Sequence, residues 1–212
     1  MPSAPPTAPT AHRATVPALV PTSSARVFQA DNPFSAAELQ SMALDGLLTH
    51  VFGSTYVRPG TRAGPALRAG AMADEVTAGL LKKAVIGRQS AAWIYGCAPA
   101  PARISLLIDR NRRTTSVGPF SGSLLHEVQL PASDTLTLAG TTVTTPVRTA
   151  RDLALYSPEA QSAAWVKALT ANPALACTLD DVKNALDVLV RVPRKRAALT
   201  LVDELMESAR ED

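Results

Sequence analysis

The hydrophobic and polar positions of the chain first form regular patterns near residue 26, and the first elements that they predict are short. The segment 26–30, Arg-Val-Phe-Gln-Ala, predicts a strand, and the Asp-Asn-Pro that follows predicts a turn. A helix is expected over residues 36–45, because apolar residues recur there at helical spacing. Ser35 and Glu38 have the spacing of a capping box, which marks where this helix begins.

Two β-rich segments follow the helix and predict a hairpin. Residues 47–52 and 55–60 are separated by Gly53-Ser54, which has the length of a two-residue turn. A helix followed by a hairpin is the second half of a winged-helix domain, and only one helix fits before this hairpin. We therefore expect a reduced winged-helix domain over residues 26–64. Residues 1–25 are rich in Pro, Ala and Thr and predict a disordered arm.

The rest of the chain alternates between helical and strand-like spacing. Helices are expected over 65–83 and 88–95. Strands are then expected over 104–108, 124–130, 136–138 and 141–144, and short links between them predict a mainly antiparallel sheet. Four helices follow, each opened by a capping residue or a proline: 146–156, 158–171, 179–191 and 193–209.

These elements predict an α+β fold: a reduced winged-helix N-terminal domain, followed by a mainly antiparallel sheet with a C-terminal helical bundle. The sheet and the bundle together form the second domain, residues 65–212.

Composition narrows the classes of function. Hydrophobic residues make up 46% of the 212 residues and aromatic residues only 4%, which predicts a globular protein with few rings for stacking on single-stranded nucleic acid. The net charge of +3 permits an acidic partner. No apolar run is long enough to span a membrane, and prolines interrupt the N-terminus where a secretory signal would lie, so we expect a cytoplasmic protein without a membrane partner.

The residues that usually carry catalysis lie apart from one another. His12, His50 and His126 fall in the arm, the hairpin and a strand, and none has a second ligand at metal-binding spacing. Cys97 and Cys177 lie outside any CxxC pattern, which predicts reduced, buried thiols. The chain has no glycine-rich phosphate loop and no GxSxG motif. We expect no enzyme activity, no cofactor, no metal and no small-molecule substrate.

Three segments of the chain resemble a known family. They are LLTHVFGSTYVRPG (47–60), GRQSAAWIYG (87–96) and VTTPVRTARDLA (143–154). In order and spacing they resemble the AbiEi antitoxins of bacterial abortive-infection systems, in their actinobacterial form. The resemblance covers about residues 26–205, and the third segment is the most specific of the three.

The resemblance implies a function for each part of the chain. It implies an N-terminal winged helix that binds DNA and represses its own operon. It also implies a C-terminal antitoxin domain that counters a nucleotidyltransferase-type toxin encoded beside it. Related sequences with the VTTPVRTARDLA segment often continue into a nuclease-like domain, whereas this chain continues into helices.

Two groups of residues are candidates for binding. For operator DNA, Gln40 and Ser41 would face the major groove, and Thr55, Arg58 and Arg62 would hold phosphates. The alternative is that this part of the chain only packs on the rest or on a second subunit. For an acidic toxin face or nucleic acid, the candidates are two basic clusters: Arg110, Arg112 and Arg113, and Arg194, Lys195 and Arg196 with Arg191 nearby. The alternative is that these cations are simply solvated.

One charged pair of the third segment invites a catalytic interpretation. Arg148 and Asp152 are four residues apart and would be neighbours on one helix face. We interpret the pair as structural, with the apolar residues of the same helix entering the core.

Three hypotheses for the function remain. The first is an antitoxin that neutralises a nucleotidyltransferase-type toxin, with or without repression of its operon. The second is a stand-alone winged-helix transcriptional repressor. The third is a degenerate nuclease-related enzyme.

Overall fold

A computed structural model describes residues 27–111 and 122–211 of the chain. The predicted arm over residues 1–25 lies outside the described residues, and so do two of the candidate partner-binding arginines, Arg112 and Arg113. The described part contains helices and two sheets, one of three strands and one of five. The α+β class is therefore confirmed.

The first sheet is built around the predicted hairpin. Its strands are β1 (Val27–Gln29), β2 (Thr49–Phe52) and β3 (Thr55–Val57), in the order β1-β3-β2 with antiparallel pairing throughout. Helix α1 (Ala36–Leu44) precedes the hairpin and begins with the predicted capping box between Ser35 and Glu38. A single nine-residue helix thus accompanies the hairpin, and the predicted elements of this part are confirmed.

The predicted helix over 65–83 is broken in two. Helix α2 (Pro65–Asp74) ends at Glu75, and a short helix α3 (Ala78–Leu81) follows. Val76, between them, is buried in the main core, and the chain turns to place it there. The next element, strand β4 (Val85–Ile86), was not predicted, and helix α4 (Arg88–Ile94) follows it close to the predicted position.

The second sheet is mixed, so the prediction of a mainly antiparallel sheet is wrong. Its further strands are β5 (Ile104–Asp109), β6 (Ser123–Val128), β7 (Thr135–Leu138) and β8 (Thr141–Thr144), and its order is β6-β5-β4-β8-β7. The pairs β4/β5 and β7/β8 are antiparallel, whereas β5/β6 and β4/β8 are parallel. The connection between β5 and β6 is long enough for a parallel crossover, and β4 inserts between β5 and β8.

Four helices complete the chain, as predicted. They are α5 (Pro146–Tyr156), α6 (Glu159–Thr170), α7 (Leu179–Asp187) and α8 (Lys195–Glu211). Helix α5 packs against α4, α6, α7 and α8. Its Leu153 and residues such as Val182 and Val202 share one core with Ile86, Leu106 and Val143 of the sheet. The four helices therefore share one hydrophobic core with the sheet.

The two cysteines are free, as predicted, and Cys177 is buried while Cys97 is half-buried. None of the helices in the described residues is long and apolar enough to cross a membrane.

Candidate functional site

The third family-like segment places its charged residues in the first turns of α5. Thr145 caps the helix by accepting a hydrogen bond from the backbone N–H of Arg148, and Pro146 occupies its first position. Arg148 is 4% exposed, and its Nε donates to Oδ2 of Asp152 at 2.8 Å. Its Nη1 donates to Oδ2 of Asp134 at 2.5 Å and to the backbone oxygen of Gln129 at 3.1 Å. The predicted pair between Arg148 and Asp152 is confirmed.

A second arginine shares the same two carboxylates. Nη2 of Arg151 lies 3.4 Å from Oδ2 of Asp134, and its Nε lies 3.5 Å from Oδ1 of Asp152. Burial alone would lower the pKa of Arg148, but the carboxylates of Asp152 and Asp134 raise it above its usual value. Both aspartates are thus engaged by guanidinium groups, and the network ties α5 to the chain segment before β7. This geometry suits the structural interpretation of the pair.

Arg88, the first residue of α4, lies beside this network without belonging to it. Its guanidinium carbon is 4.5 Å from the centre of the Tyr156 ring, and its Nη1 is 3.3 Å from Nε2 of His126. Among the described residues, no carboxylate lies within ion-pair distance of Arg88, and its buried Nε has no hydrogen-bond partner. The backbone of Arg88 has a positive φ of 53°, a conformation that residues other than glycine rarely adopt.

Burial lowers the pKa of both Arg88 and His126. Burial lowers the pKa of Arg88, although the charge of Asp152 raises it in part. Burial, and then the charge of Arg88, lower the pKa of His126 to about 4. His126 is therefore neutral near pH 7, and the positive charge of this cluster resides on Arg88.

The segment after α7 lies next to the C-terminal end of α5. Nη2 of Arg194 is 3.4 Å from the backbone oxygen of Ser157, which follows Tyr156 directly. The same segment exposes Val188 and Val190, which are 74% and 80% accessible, while Tyr156 is 41% accessible. The side chain of Arg194 therefore connects the segment between α7 and α8 to the residue that follows α5.

The candidate partner-binding cations differ in their surroundings. Arg110 is exposed directly after β5, and Arg194 and Arg196 are also exposed. Lys195 instead donates from Nζ to the backbone oxygens of Asp187 and Leu189, at 2.8 and 2.9 Å. Lys195 therefore satisfies carbonyl groups at the C-terminal end of α7, and its role in partner binding stays a prediction, like those of Arg110, Arg194 and Arg196.

The candidate DNA-binding residues separate in a similar way. Gln40, Ser41, Arg58 and Arg62 are exposed. Thr55 is 1% exposed, and its buried hydroxyl has no hydrogen-bond partner among the described residues. The hydroxyl is thus inaccessible to a phosphate, and the expectation that Thr55 holds one is corrected. The sequence placed Thr55 on the hairpin but did not indicate which face of the strand is buried.

The turn of the hairpin is held against α2. The backbone N–H and the hydroxyl of Ser54 donate to Oε1 of Glu75, at 2.7 and 3.0 Å. Gly53 has a φ of +51°, and a Cβ built on it would lie 2.0 Å from the same oxygen. The ring of Phe52 packs against that of Trp93 in a tilted arrangement, with ring centres 4.9 Å apart. These contacts match the alternative in which this part of the chain packs on the rest.

Sequence reasoning missed Arg88, Tyr156, Val188 and Val190. One signal in the sequence could have indicated Arg88: it lies in the first turn of a helix, where a positive charge is unfavourable because it opposes the helix dipole. The exposure of the two valines had no local indication, because they flank Leu189, which packs against the core.

Metal-binding clusters and cavities are the remaining features of the described residues. No group of three or more His, Cys, Asp or Glu side chains in this part of the chain could hold a metal ion. A cavity of about 420 Å³ lies between α6, α7 and α8 and is lined by residues that include Lys167, Leu179, Leu205, Met206 and Arg210. Neither histidine nor cysteine lines it.

Comparison with known proteins places the chain in a family. A family model described as the AbiEi antitoxin C-terminal domain matches residues 77–207. No protein of curated function matches the chain. Among solved structures, the RV2827C protein from Mycobacterium tuberculosis is similar to this chain, with 17% sequence identity and a TM-score of 0.41. The match covers 79% of this chain and 64% of the RV2827C chain, so this chain spans less than two thirds of the length of RV2827C. Because the family model covers well over half of the chain, the chain belongs to the AbiEi antitoxin family.

Proposed function

We propose that the chain is the antitoxin of a bacterial toxin–antitoxin system, that it acts in the cytoplasm, and that it neutralises a nucleotidyltransferase-type toxin. The observation that carries the proposal is the family match over residues 77–207, which includes the five-stranded sheet and most of the four C-terminal helices. Antitoxins of this family are regulatory proteins, and the buried network around Arg148 suits a rigid scaffold that presents a binding surface.

Neutralisation is tested by co-expression in cells. The nucleotidyltransferase encoded in the same operon is induced from one plasmid and this chain from another, and growth is followed. We expect the toxin alone to stop growth and the pair to restore it. Failure of the full chain to restore growth, with both proteins present by immunoblot, would remove the proposal.

Repression of the operon is the second part of the proposal, and it rests on the exposure of Gln40, Ser41, Arg58 and Arg62. Phosphate contacts give DNA binding a steep salt dependence, with a slope that falls by about 0.9 for each contact removed. Operator binding by the full chain should therefore lose about two units of slope when Arg58 and Arg62 are both changed to alanine. A slope unchanged from that of the unmodified chain would exclude these arginines from the DNA interface.

The two activities also separate the antitoxin from a stand-alone repressor. Operator binding without any rescue of growth would favour the repressor. Rescue without operator binding would leave the antitoxin function alone.

A further inference from the structure

A cluster of three side chains brings two of the family-like segments together. Arg88 lies in the segment 87–96, and Tyr156 is the last residue of α5, the helix that contains most of the segment 143–154. The guanidinium carbon of Arg88 is 4.5 Å from the centre of the Tyr156 ring, and its Nη1 is 3.3 Å from Nε2 of His126 on β6. We call these three residues the Arg88 cluster.

We propose that the Arg88 cluster binds a small oxyanion, a phosphate or a carboxylate group, through the guanidinium group of Arg88. The inference goes beyond the proposed antitoxin function and does not depend on it, because that function assigns no role to the cluster.

The guanidinium group of Arg88 has donors that the fold leaves unused. Within the described residues, its one hydrogen-bonding contact is that of Nη1 with His126. Its Nε is buried without a partner, and its Nη2 also has no partner there but is open to solvent. A buried donor without an acceptor costs free energy, and such a group in a folded protein needs an explanation. An oxyanion at the open edge would give the group acceptor oxygens at Nη2.

The backbone at Arg88 is also in a conformation that a residue with a side chain rarely adopts. Its φ is 53°, and strained residues of this kind cluster at functional sites and ligand clamps. The chain is packed closely at this point, because a Cβ built on the preceding Gly87 would lie 2.7 Å from the side chain of Leu107. Glycine would fit the φ at position 88 without strain. The unusual backbone and the unused donors thus belong to the same residue.

The charges around Arg88 leave its cation without a carboxylate of its own. No carboxylate in the described part of the chain lies within ion-pair distance of Arg88, and the nearby Asp152 is engaged by Arg148 and Arg151. Burial and the charge of Arg88 lower the pKa of His126 to about 4, so His126 is neutral near pH 7 and accepts the hydrogen bond from Nη1.

A half-buried arginine with these neighbours has the chemistry of an oxyanion site. The planar guanidinium group matches the geometry of phosphate and carboxylate oxygens, and its hydrogen bonds to such groups are charge-assisted. The Tyr156 ring covers one face of the group and His126 holds Nη1. The open Nη2 edge is therefore the position that we assign to the anion.

Arg68 shows how an arginine with a purely structural role looks in this fold. It is also half-buried, and its guanidinium carbon lies 5.3 Å from the centre of the Trp93 ring. In contrast to Arg88, its Nη1 donates to the backbone oxygen of Trp93 at 2.7 Å, and it lies inside an ordinary helix, α2. Arg68→Gln is therefore the matched control for changes at Arg88.

The test titrates the purified full chain with sodium phosphate and with sodium acetate at constant ionic strength, and it follows arginine Nε–H and backbone amide signals by NMR. We expect saturable shifts at Arg88 and Tyr156 with at least one of the two anions, and the anion that produces them identifies the ligand group. Sodium chloride should produce no saturable shift. Arg88→Gly should weaken binding by about tenfold or more, read at the Tyr156 amide, whereas Arg68→Gln should leave it unchanged.

Urea unfolding separates binding from folding. Arg88→Gly removes the strained φ and the unused donors, so its unfolding midpoint should be unchanged or higher, whereas Arg68→Gln should lower the midpoint. A midpoint that falls equally in both variants would show that Arg88 is structural and would overturn the inference. Shifts that chloride reproduces, or equal affinity in Arg88→Gly, would overturn it too. None of these results depends on rescue from the toxin, so the proposed function is tested separately.

Discussion

Changing Arg148 to methionine tests whether the network in α5 is structural. Methionine keeps an apolar stem but removes the guanidinium group, which leaves the carboxylates of Asp134 and Asp152 without their main partner. Removing one partner of a buried ion pair costs about 3–5 kcal/mol. Arg151 still lies 3.4 Å from one carboxylate and 3.5 Å from the other, so we expect a loss near the lower end, about 3 kcal/mol.

The assay is urea unfolding followed by tryptophan fluorescence, with a thermal melt alongside. In a chain of this size a loss of about 3 kcal/mol lowers the melting temperature by about 6–12 °C. The matched control is Lys183→Met. Like Arg148→Met, it replaces the positively charged member of an ion pair with aspartate by methionine. The pair between Lys183 and Asp203 is exposed, so its loss should leave the melting temperature nearly unchanged.

A double variant separates charge from volume. Arg148→Met with Asp152→Leu removes both members of the buried pair. It should recover part of the stability that the single change loses, because the one carboxylate left beside the new methionine is that of Asp134, which Arg151 still contacts. If Arg148→Met and the lysine control shift the melt equally little, the structural interpretation is refuted.

Two further predictions concern the hairpin turn and the neutral histidine. In urea unfolding, Gly53→Ala should lower the free energy of unfolding by about 1–2 kcal/mol because of the positive φ at this position, and by a further amount because the new Cβ displaces Glu75. Gly46 also has a positive φ but nothing near its Cβ, so Gly46→Ala should show only the first loss. In the Glu75→Ala background the two glycine substitutions should become equally costly. Because the pKa of His126 falls from 6.5 to about 4 on folding, the unfolded chain binds a proton that the folded chain does not, so stability should decrease as the pH falls through this window. His126→Gln should flatten this decrease and His50→Gln should not, and equal profiles for both variants would contradict the reasoning.

Local patterns in the sequence predicted most of the elements. Helix α1 begins at its capping box and α5 begins at Thr145-Pro146, because capping depends only on residues a few positions apart. Strand β4 escaped prediction, because two residues are too few to show alternation. Its insertion between β5 and β8 then made the sheet mixed, a property of pairing over distance that no local pattern contains.

The contacts of the candidate site also divide into those that a local pattern predicts and those that depend on distant parts of the chain. The pair of Arg148 and Asp152 was predictable, since residues four apart share a helix face. The contribution of Asp134 was not, because a hairpin separates it from α5 in the sequence. Lys195 lay in a basic cluster that predicted a solvent-facing cation, yet it caps the preceding helix. A charge run therefore indicates available cations only after the carbonyl groups of neighbouring helix ends have been considered.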